Sequence, residues 1–302
     1  MQWIIKGVER IETLVSISTD GSILEWNLKK GLVVSSLMQL KKSGAGDGWI
    51  SNAAAGLCFD FQPSDSSTYV TGTEDGSIHR CSISYNEQYL DTFTPHEGPV
   101  QKVRFSNKWT DVFISCSADW SMALYHLKSK NPLLSIRATG EDFPITDISW
   151  CPDNSTVFAC VTVDSKLQIW DLSVSCIEPV INMDNSLEVM EVQAFNDTIN
   201  KDMEFPPPSP NAYISKFEKG DPKEDLTPVQ RLLKNLTNDT NGKKTLTCLK
   251  FGEKTPTIVV GDSNGVVSVY RIFDPITITH QGPLQQKNKL INIVQKQTDP
   301  AR

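Results

Sequence analysis

The sequence lacks a long apolar run, an excess of basic residues and a secretion signal. No apolar stretch approaches the roughly 20 residues that a membrane span needs, so no membrane association is predicted. The net charge is −7 at pH 7. Nucleic acid is therefore not a predicted partner, because binding to phosphates draws most of its affinity from basic surface. The N-terminus shows no basic region followed by an apolar segment, which predicts no secretion.

Signatures of catalysis and of cofactor binding are also missing. The seven cysteines form no CxxC pair, and the four histidines are scattered along the chain. We therefore predict no metal, no cofactor and no enzymatic activity. Most of the cysteines lie inside alternating apolar runs, where a free cysteine acts as a small hydrophobe. This pattern predicts reduced core cysteines in a cytoplasmic protein.

A repeated pattern organises the chain. Five segments place a β-rich run before a tight turn and a second run after it. The turn residues are Asp20, Asp75, Asp119, Asp164 and Asn264. Six positions after each turn residue comes an aromatic residue in four copies (Trp26, Tyr125, Trp170 and Tyr270) and Cys81 in the other. One such turn residue per repeat, an aspartate in four copies and Asn264 in the fifth, predicts a structural cap in each turn, whereas a catalytic site would need a single pair of carboxylates.

The repeat predicts an all-β fold. Units of about 40–45 residues are typical of the four-stranded blades of a propeller. We predict a WD40-like β-propeller with blades one to four in residues 1–183 and a fifth blade in 243–281, whose fourth strand is placed at Ile276–His280. Trp170-Asp171 supplies the Trp-Asp dipeptide, and His96 is predicted to bond Asp119. The blades could close into a ring, but each end holds a complete blade, so an open arc of a longer propeller is predicted.

Two segments fall outside the repeat. Residues 184–242 form an acidic, proline-containing insertion in which Phe205–Pro210 favours extended structure. Thr227, Pro228 and Gln230 predict the start of a short helix over 227–237. This helix could dock on the propeller or on a partner. Residues 282–302 are interpreted as a C-terminal tail.

Three tryptophans in predicted loops are candidate partner-binding residues: Trp49, Trp109 and Trp120. Trp120 follows its turn aspartate directly, at a position that is Gly after Asp20 and Asp75. A large aromatic in such a turn is either a lid on its own blade or an interface anchor. Trp49 and Trp109 could instead pack beneath their own loops.

The stretches Gly72–Phe93 and Phe113–Trp120 resemble axonemal dynein intermediate chains, especially those of the inner arm, and so does Val260–Tyr270. The resemblance implies a seven-bladed propeller that binds the tail of a dynein heavy chain in the axoneme of a cilium or flagellum. It also implies a second intermediate chain as partner. Light chains of this family bind an extended N-terminal region. This sequence begins within the blade pattern, so light-chain binding is not predicted.

Two alternatives stay open at the level of the sequence. The repeat alone also fits a general WD-repeat adaptor of a cytoplasmic or intraflagellar dynein, or of another assembly. An enzyme on a propeller scaffold would need carboxylates or metal ligands that converge on the central channel, and no such cluster is visible. The leading hypothesis is therefore a non-catalytic scaffold subunit of an axonemal dynein.

Overall fold

The computed structural model describes residues 1–6, 11–27, 32–42, 53–137, 143–184, 244–253, 255–272 and 282–298. These residues form nineteen β-strands and one α-helix. The strands assemble into five antiparallel sheets, four of four strands and one of three. The prediction of an all-β, blade-type fold is confirmed.

Each of the first four sheets follows the chain in simple order. The first contains β1 (Gln2–Lys6), β2 (Ile11–Ile17), β3 (Ser22–Asn27) and β4 (Val33–Gln39). The second contains β5 (Gly56–Gln62), β6 (Asp65–Thr73), β7 (Ile78–Ser82) and β8 (Asp91–Phe93). The third contains β9 (Val100–Phe105), β10 (Val112–Ser117), β11 (Ser121–His126) and β12 (Leu134–Arg137).

The last two sheets lie on either side of the insertion. The fourth contains β13 (Ile145–Trp150), β14 (Val157–Thr162), β15 (Lys166–Asp171) and β16 (Ile181–Asp184). The fifth contains β17 (Leu246–Phe251), β18 (Thr257–Asp262) and β19 (Val267–Arg271). The predicted fourth strand at 276–280, nearly all of the insertion and its predicted helix at 227–237 lie outside the described residues.

One row of side chains recurs in every sheet, and we call it the junction row. It joins paired residues of the first three strands: Trp3–Leu14–Trp26, Phe61–Tyr69–Cys81, Phe105–Phe113–Tyr125, Trp150–Phe158–Trp170 and Phe251–Ile258–Tyr270. Residues paired directly across antiparallel strands point to the same face. The junction row therefore marks one face of each sheet, which we call the rear face; the other is the forward face.

The core of the protein lies between consecutive sheets. The junction row of the second sheet packs on Ile4, Val15 and Ile23 of the first. The same arrangement recurs at the next three junctions, each with its own buried apolar cluster. Alternation along each strand supplies both faces, because successive side chains point to opposite sides. The repeat in the sequence is thus a repeat of one packing interface.

The stack of sheets is an open arc. Each sheet packs on the next one in chain order, chiefly through the first strands β5, β9, β13 and β17. Across the part of the chain that the structure describes, the first and fifth sheets make no extensive contact. The predicted arc is confirmed.

The C-terminal segment, interpreted from the sequence as a tail, contains α1 (Pro283–Thr298). Leu290 and Val294 of this helix are buried in the cluster between the third and fourth sheets. Gly282-Pro283 begins the helix, as expected for proline at the first helical position. The sequence signal was present in the spacing of Leu290, Ile293 and Val294, which lie on one face of a helix.

A buried histidine in the second sheet makes stability depend on pH. His79 is fully buried. Its ring stacks on Tyr89 with centroids 3.8 Å apart, and its Nδ1 lies 3.0 Å from Thr92 Oγ1. Burial lowers the pKa of His79 from 6.5 to about 4, although the charge of Asp75 acts to raise it. The pKa of His79 is thus lower in the folded protein than in the unfolded chain. The stabilisation from its neutral ring is complete above pH 6.5 and is lost as the pH falls toward 4.

The unfolding free energy of the wild type should decrease between pH 7 and pH 4. We expect this decrease to be smaller by about 2 to 3 kcal/mol in His79→Phe. Phenylalanine keeps the stacking on Tyr89 and cannot be protonated. The measurement is urea unfolding of both proteins across this pH range. An equal loss of stability in the variant and the wild type would show that His79 does not cause it.

Candidate partner-binding surface

The hairpin turns between the second and third strands of the sheets lie at the same end of the stack, and we call this surface the turn face. Equivalent strands are stacked in the same order, so equivalent turns are neighbours. The structure places Asp20, Asp75, Asp119, Asp164 and Asn264 in these turns. Their repetition builds a surface of neighbouring loops, and loops on a packed scaffold are where binding contacts are commonly presented.

The turn aspartates cap their own hairpins. Asp20 Oδ1 accepts a hydrogen bond from the Ser22 N–H at 2.9 Å. Asp119 Oδ1 accepts one from the Ser121 N–H at 3.0 Å, and Asp75 accepts the equivalent bond from Ser77. An Asx side chain that bonds the backbone two residues later fixes such a turn. These carboxylates hold the turns in shape.

The fourth copy has an additional ion pair, and the fifth copy uses a different carboxylate. Asp164 Oδ2 lies 2.7 Å from Lys166 Nζ, and Asp164 Oδ1 accepts the hydroxyl of Thr162. In the fifth copy the accepting carboxylate belongs to Asp262, whose Oδ1 takes the N–H groups of Asn264 and Val266, both at 2.9 Å. The sequence pattern places Asn264 at the turn position of the fifth copy. It does not show that Asp262, two residues earlier, supplies the accepting carboxylate.

The residue after each turn residue has a left-handed backbone. The φ angle is +83° at Gly21, +82° at Gly76 and +80° at Gly265, and it is 68° at Trp120 and 70° at Ser165. Glycine adopts this conformation without steric cost, and a side chain does not. Trp120 is therefore held in a backbone conformation that is sterically unfavourable for a residue with a side chain. It is half-buried on the turn face.

A histidine links the third sheet to the connection that enters it. His96 Nδ1 lies 3.3 Å from Asp119 Oδ2 and 2.8 Å from Ser121 Oγ, and its Nε2 lies 2.8 Å from Ser115 Oγ. The predicted contact of His96 with Asp119 is confirmed. Burial lowers the pKa of His96, with Asp119 acting in the opposite direction. The network fixes the loop beside Trp120.

The three candidate tryptophans have different surroundings. Trp109 is half-buried in the turn between β9 and β10, packs against the cluster between the third and fourth sheets, and meets His126 at 5.5 Å between ring centroids. Trp49 lies outside the described residues. Trp120 lies on the turn face, whereas Trp109 lies at the opposite end, where α1 docks.

Two buried carboxylates that the sequence analysis missed tie neighbouring sheets together. Asp60 Oδ2 accepts the Phe105 N–H of the third sheet at 2.8 Å, and its Oδ1 accepts from Gln2 Nε2 of the first sheet at 3.1 Å. Asp147 of the fourth sheet accepts the Leu249 N–H of the fifth at 3.0 Å. The signal was an aspartate inside an apolar strand, where a charge needs partners.

Basic residues complete these links. Arg104 Nη1 lies 3.8 Å from Asp60 Oδ1, and Lys102 Nζ of the third sheet lies 3.4 Å from Asp147 Oδ1. Burial raises the pKa of Asp60, and the charge of Arg104 partly offsets this effect. Asp60 therefore joins sheets one, two and three, and Asp147 joins sheets three, four and five.

Helix α1 is fixed by polar contacts as well as by its apolar residues. Gln286 is fully buried, and its Oε1 accepts the Ser155 N–H at 3.1 Å. Ser155 Oγ donates to the Gln286 carbonyl at 2.7 Å. The helix thus closes the gap between the third and fourth sheets at the end opposite the turn face.

The described ranges hold no group of three or more His, Cys, Asp or Glu side chains placed to bind a metal ion. They also contain no helix with the length and apolar character of a membrane span. Five of the seven cysteines are buried, and burial raises the pKa of Cys58 to about 12. The geometry that the structure does offer is a set of capped turns on a stack of packed sheets.

Comparisons with known proteins agree with this geometry. The WD domain, G-beta repeat family matches residues 131–171. The chain is similar to the crystal structure of the computationally designed Ika8 protein, with a TM-score of 0.51 and 16% identity over 89% of this chain and 57% of that one. At this identity the likeness concerns the fold alone.

Curated relatives carry more specific names. The chain is 41% identical to dynein axonemal intermediate chain 4 of Mus musculus, covering 60% of this chain and 24% of the relative. It is 33% identical to the Homo sapiens protein of that name, covering 93% and 28%. Dynein intermediate chain 2, ciliary, of Heliocidaris crassispina is 37% identical, covering 55% and 24%.

The chain spans about a quarter of the length of these curated relatives. All three relatives are named as dynein intermediate chains, and the match to the Homo sapiens protein covers 93% of this chain. The chain is thus similar over most of its length to an axonemal dynein intermediate chain, the family that its sequence resembles.

Proposed function

We propose that the chain is a non-catalytic scaffold subunit of an axonemal dynein of the inner arm. In this function it binds the tail of a dynein heavy chain, acts beside a second intermediate chain and resides on the axoneme of a cilium or flagellum. The observation that carries the proposal is the similarity to dynein axonemal intermediate chain 4, at 33% identity over 93% of this chain.

The physical support for the proposal is stiffness. Four packing junctions and the carboxylates Asp60 and Asp147 join the sheets into one stack. A stiff stack keeps its surface loops in fixed relative positions. A long partner can then contact several loops without a further entropic cost of ordering each of them. The turn face presents capped loops and the half-buried Trp120.

Co-fractionation tests the proposal. A tagged chain is expressed in ciliated cells, axonemes are isolated and extracted with salt, and the extract is separated on a sucrose gradient. We expect the chain to sediment with an axonemal dynein heavy chain. Its absence from axonemes, or its sedimentation with cytoplasmic dynein instead, would overturn the proposal and favour the general adaptor.

Trp120 provides a separation-of-function variant. We expect Trp120→Gly to weaken capture of the heavy chain at least about tenfold, as loss of an aromatic anchor does. Stability should stay within about 1 kcal/mol of the wild type, because glycine relieves the left-handed backbone while it removes some packing. The readout is the fraction of heavy chain retained on the immobilised variant.

Ser165→Gly is the matched control. It relieves the same backbone conformation in the neighbouring turn, where φ is 70°, and it removes no aromatic ring. The control should capture heavy chain as the wild type does. Full capture by Trp120→Gly would show that Trp120 serves only as a lid on its own blade.

A further inference from the structure

The end of the stack where α1 docks carries a concentration of positive charge. The loop between β11 and β12 (residues 127–133) and α1 together contain five lysines and no aspartate or glutamate. We call these residues the lysine patch: Lys128, Lys130, Lys287, Lys289 and Lys296. The chain as a whole has a net charge of −7. The patch is therefore a local excess of positive charge on an acidic protein.

The structure brings the loop and the helix together. Helix α1 contacts β12, the strand that follows the loop. Burial lowers the pKa of His126, Asp111 acts to raise it, and Lys128 and Lys287 act to lower it further. A lysine of the loop and a lysine of α1 thus lie near the same imidazole ring. The positive charges of the two elements form one surface.

The arrangement of these lysines is unfavourable for α1 itself. Lys287 directly follows the first turn of the helix, and Lys289 lies two residues later, both near the positive end of the helix dipole. The first turn contains no acidic residue that would offset them. Lysines of the same sign in the neighbouring loop add to the repulsion. A ligand that brings negative charge to this surface would relieve it.

Exposed apolar side chains border the lysine patch. The loop between β15 and β16 lies beside α1, because the Leu172 N–H donates to the Thr156 carbonyl, and Thr156 Oγ1 is 3.3 Å from Lys289 Nζ. Aliphatic residues bordered by charged ones are typical of protein-interaction surfaces. Three aliphatic side chains of this loop and of α1 are 71–76% exposed: Val174, Ile177 and Leu284.

We propose that the lysine patch and these three aliphatic residues form a docking surface for an acidic peptide segment of a partner protein. Carboxylates of the segment pair with the lysines, and its apolar side chains cover Val174, Ile177 and Leu284. Charge complementarity identifies the occupant, since the surface offers cations without carboxylates of its own in α1 or in residues 127–133. The surface lies at the end opposite the turn face, so this inference goes beyond the proposed function and does not rest on it.

Two features favour a peptide over another polyanion. The loop and α1 contain no arginine, the residue that binds phosphate groups with two parallel hydrogen bonds. The exposed side of α1 carries the carboxamides of Gln285, Asn288 and Asn292. A carboxamide can donate to and accept from a peptide backbone, whereas contact with lipid chains would remove it from water without a partner.

Fluorescence anisotropy tests the proposal on the purified full chain. The probe is a labelled synthetic peptide of Glu, Ser and Leu, and a second peptide has Gln in place of every Glu. We expect the Glu peptide to bind with a Kd below about 100 μM and the Gln peptide at least about tenfold more weakly. Added salt should weaken only the Glu peptide. Equal binding of the two peptides, or no binding of either, would overturn the proposal.

Charge reversal locates the contact. Lys128→Glu combined with Lys287→Glu should weaken binding of the Glu peptide at least about tenfold. Lys41→Glu combined with Lys250→Glu is the matched control, since it changes the net charge equally at exposed residues outside α1 and residues 127–133. The urea midpoint of the first variant should not fall, because a glutamate at 287 suits the positive end of the helix. Equal weakening by both variants would mean that net charge alone attracts the peptide and would overturn the proposal.

Leu284→Ser tests the apolar part of the contact. Leu284 is 71% exposed, so its replacement leaves the fold intact, and we expect binding of the Glu peptide to weaken at least about threefold. Unchanged binding would contradict the proposed surface.

Other occupants give different results in the same assay. Tighter binding to phosphatidylserine vesicles or to an RNA oligonucleotide than to the Glu peptide would overturn the proposal. Residues 186–241 lie in the chain's own acidic insertion, and their deletion tests whether it covers the patch. We expect the deletion variant to bind the Glu peptide as the wild type does. Binding that occurs only after the deletion would assign the surface to the insertion and would contradict a partner segment.

Discussion

Trp170→Ala should lower the free energy of unfolding by about 4 kcal/mol, the typical cost of deleting a large buried aromatic side chain. Trp170 is fully buried in the junction row of the fourth sheet. Its ring lies nearly parallel to that of Phe158, with centroids 6.1 Å apart. Deletion leaves a cavity between the third and fourth sheets, which neighbouring strands cannot fill without moving. Chemical denaturation followed by circular dichroism measures the change.

Trp109→Ala is the matched control for this variant. Trp109 is the same residue type and packs against the same cluster, but it is half-buried. Its deletion should cost about 1 to 2 kcal/mol, in proportion to the apolar area withdrawn from water. Equal losses for the two variants would show that the junction row has no special part in holding the sheets together.

Asp147→Ala should destabilise the fold by about 3 to 4 kcal/mol, because it strips a buried backbone donor and a cation of their common acceptor. Asp147 accepts the Leu249 N–H of the fifth sheet and faces Lys102 of the third. The loss should appear as earlier unfolding in urea.

Asp147→Asn separates the two contributions. The amide oxygen can still accept the Leu249 N–H, while the charge that faces Lys102 is gone. We expect a cost of about 1 kcal/mol for this variant. A cost as large as that of alanine would mean that the ion pair, rather than the link to the fifth sheet, provides the stabilisation.

The sequence predicted the features that repeat. The turn residues and the aromatic positions recur at fixed offsets, so the hairpins, the blade order and the contact of His96 with Asp119 could be derived from local pattern alone. Each of these features depends on residues within one unit or on its nearest neighbour. Alternating side chains then decide which face each strand buries.

Features that occur only once or twice were harder to derive. Helix α1 has no counterpart in the repeat, and its docking depends on Gln286 meeting Ser155, 131 residues earlier in the chain. Asp60 and Asp147 hold different register positions, so no shared offset marks their common function as links between sheets. In the fifth turn, Asp262 and not Asn264 accepts the backbone hydrogen bonds. This depends on the geometry of the turn and cannot be read from its sequence.

Stiffness of the stacked sheets is the physical basis of the proposed platform, and hydrogen exchange of the backbone amides tests it most directly. If the junction rows join the sheets, amides of β5, β9 and β13 should exchange only through one common opening of high free energy. The outer strands β4, β8, β12 and β16 should exchange faster. The contradicting result is an inner strand of one sheet that exchanges alone at much lower free energy, since that sheet would then move independently of its neighbours.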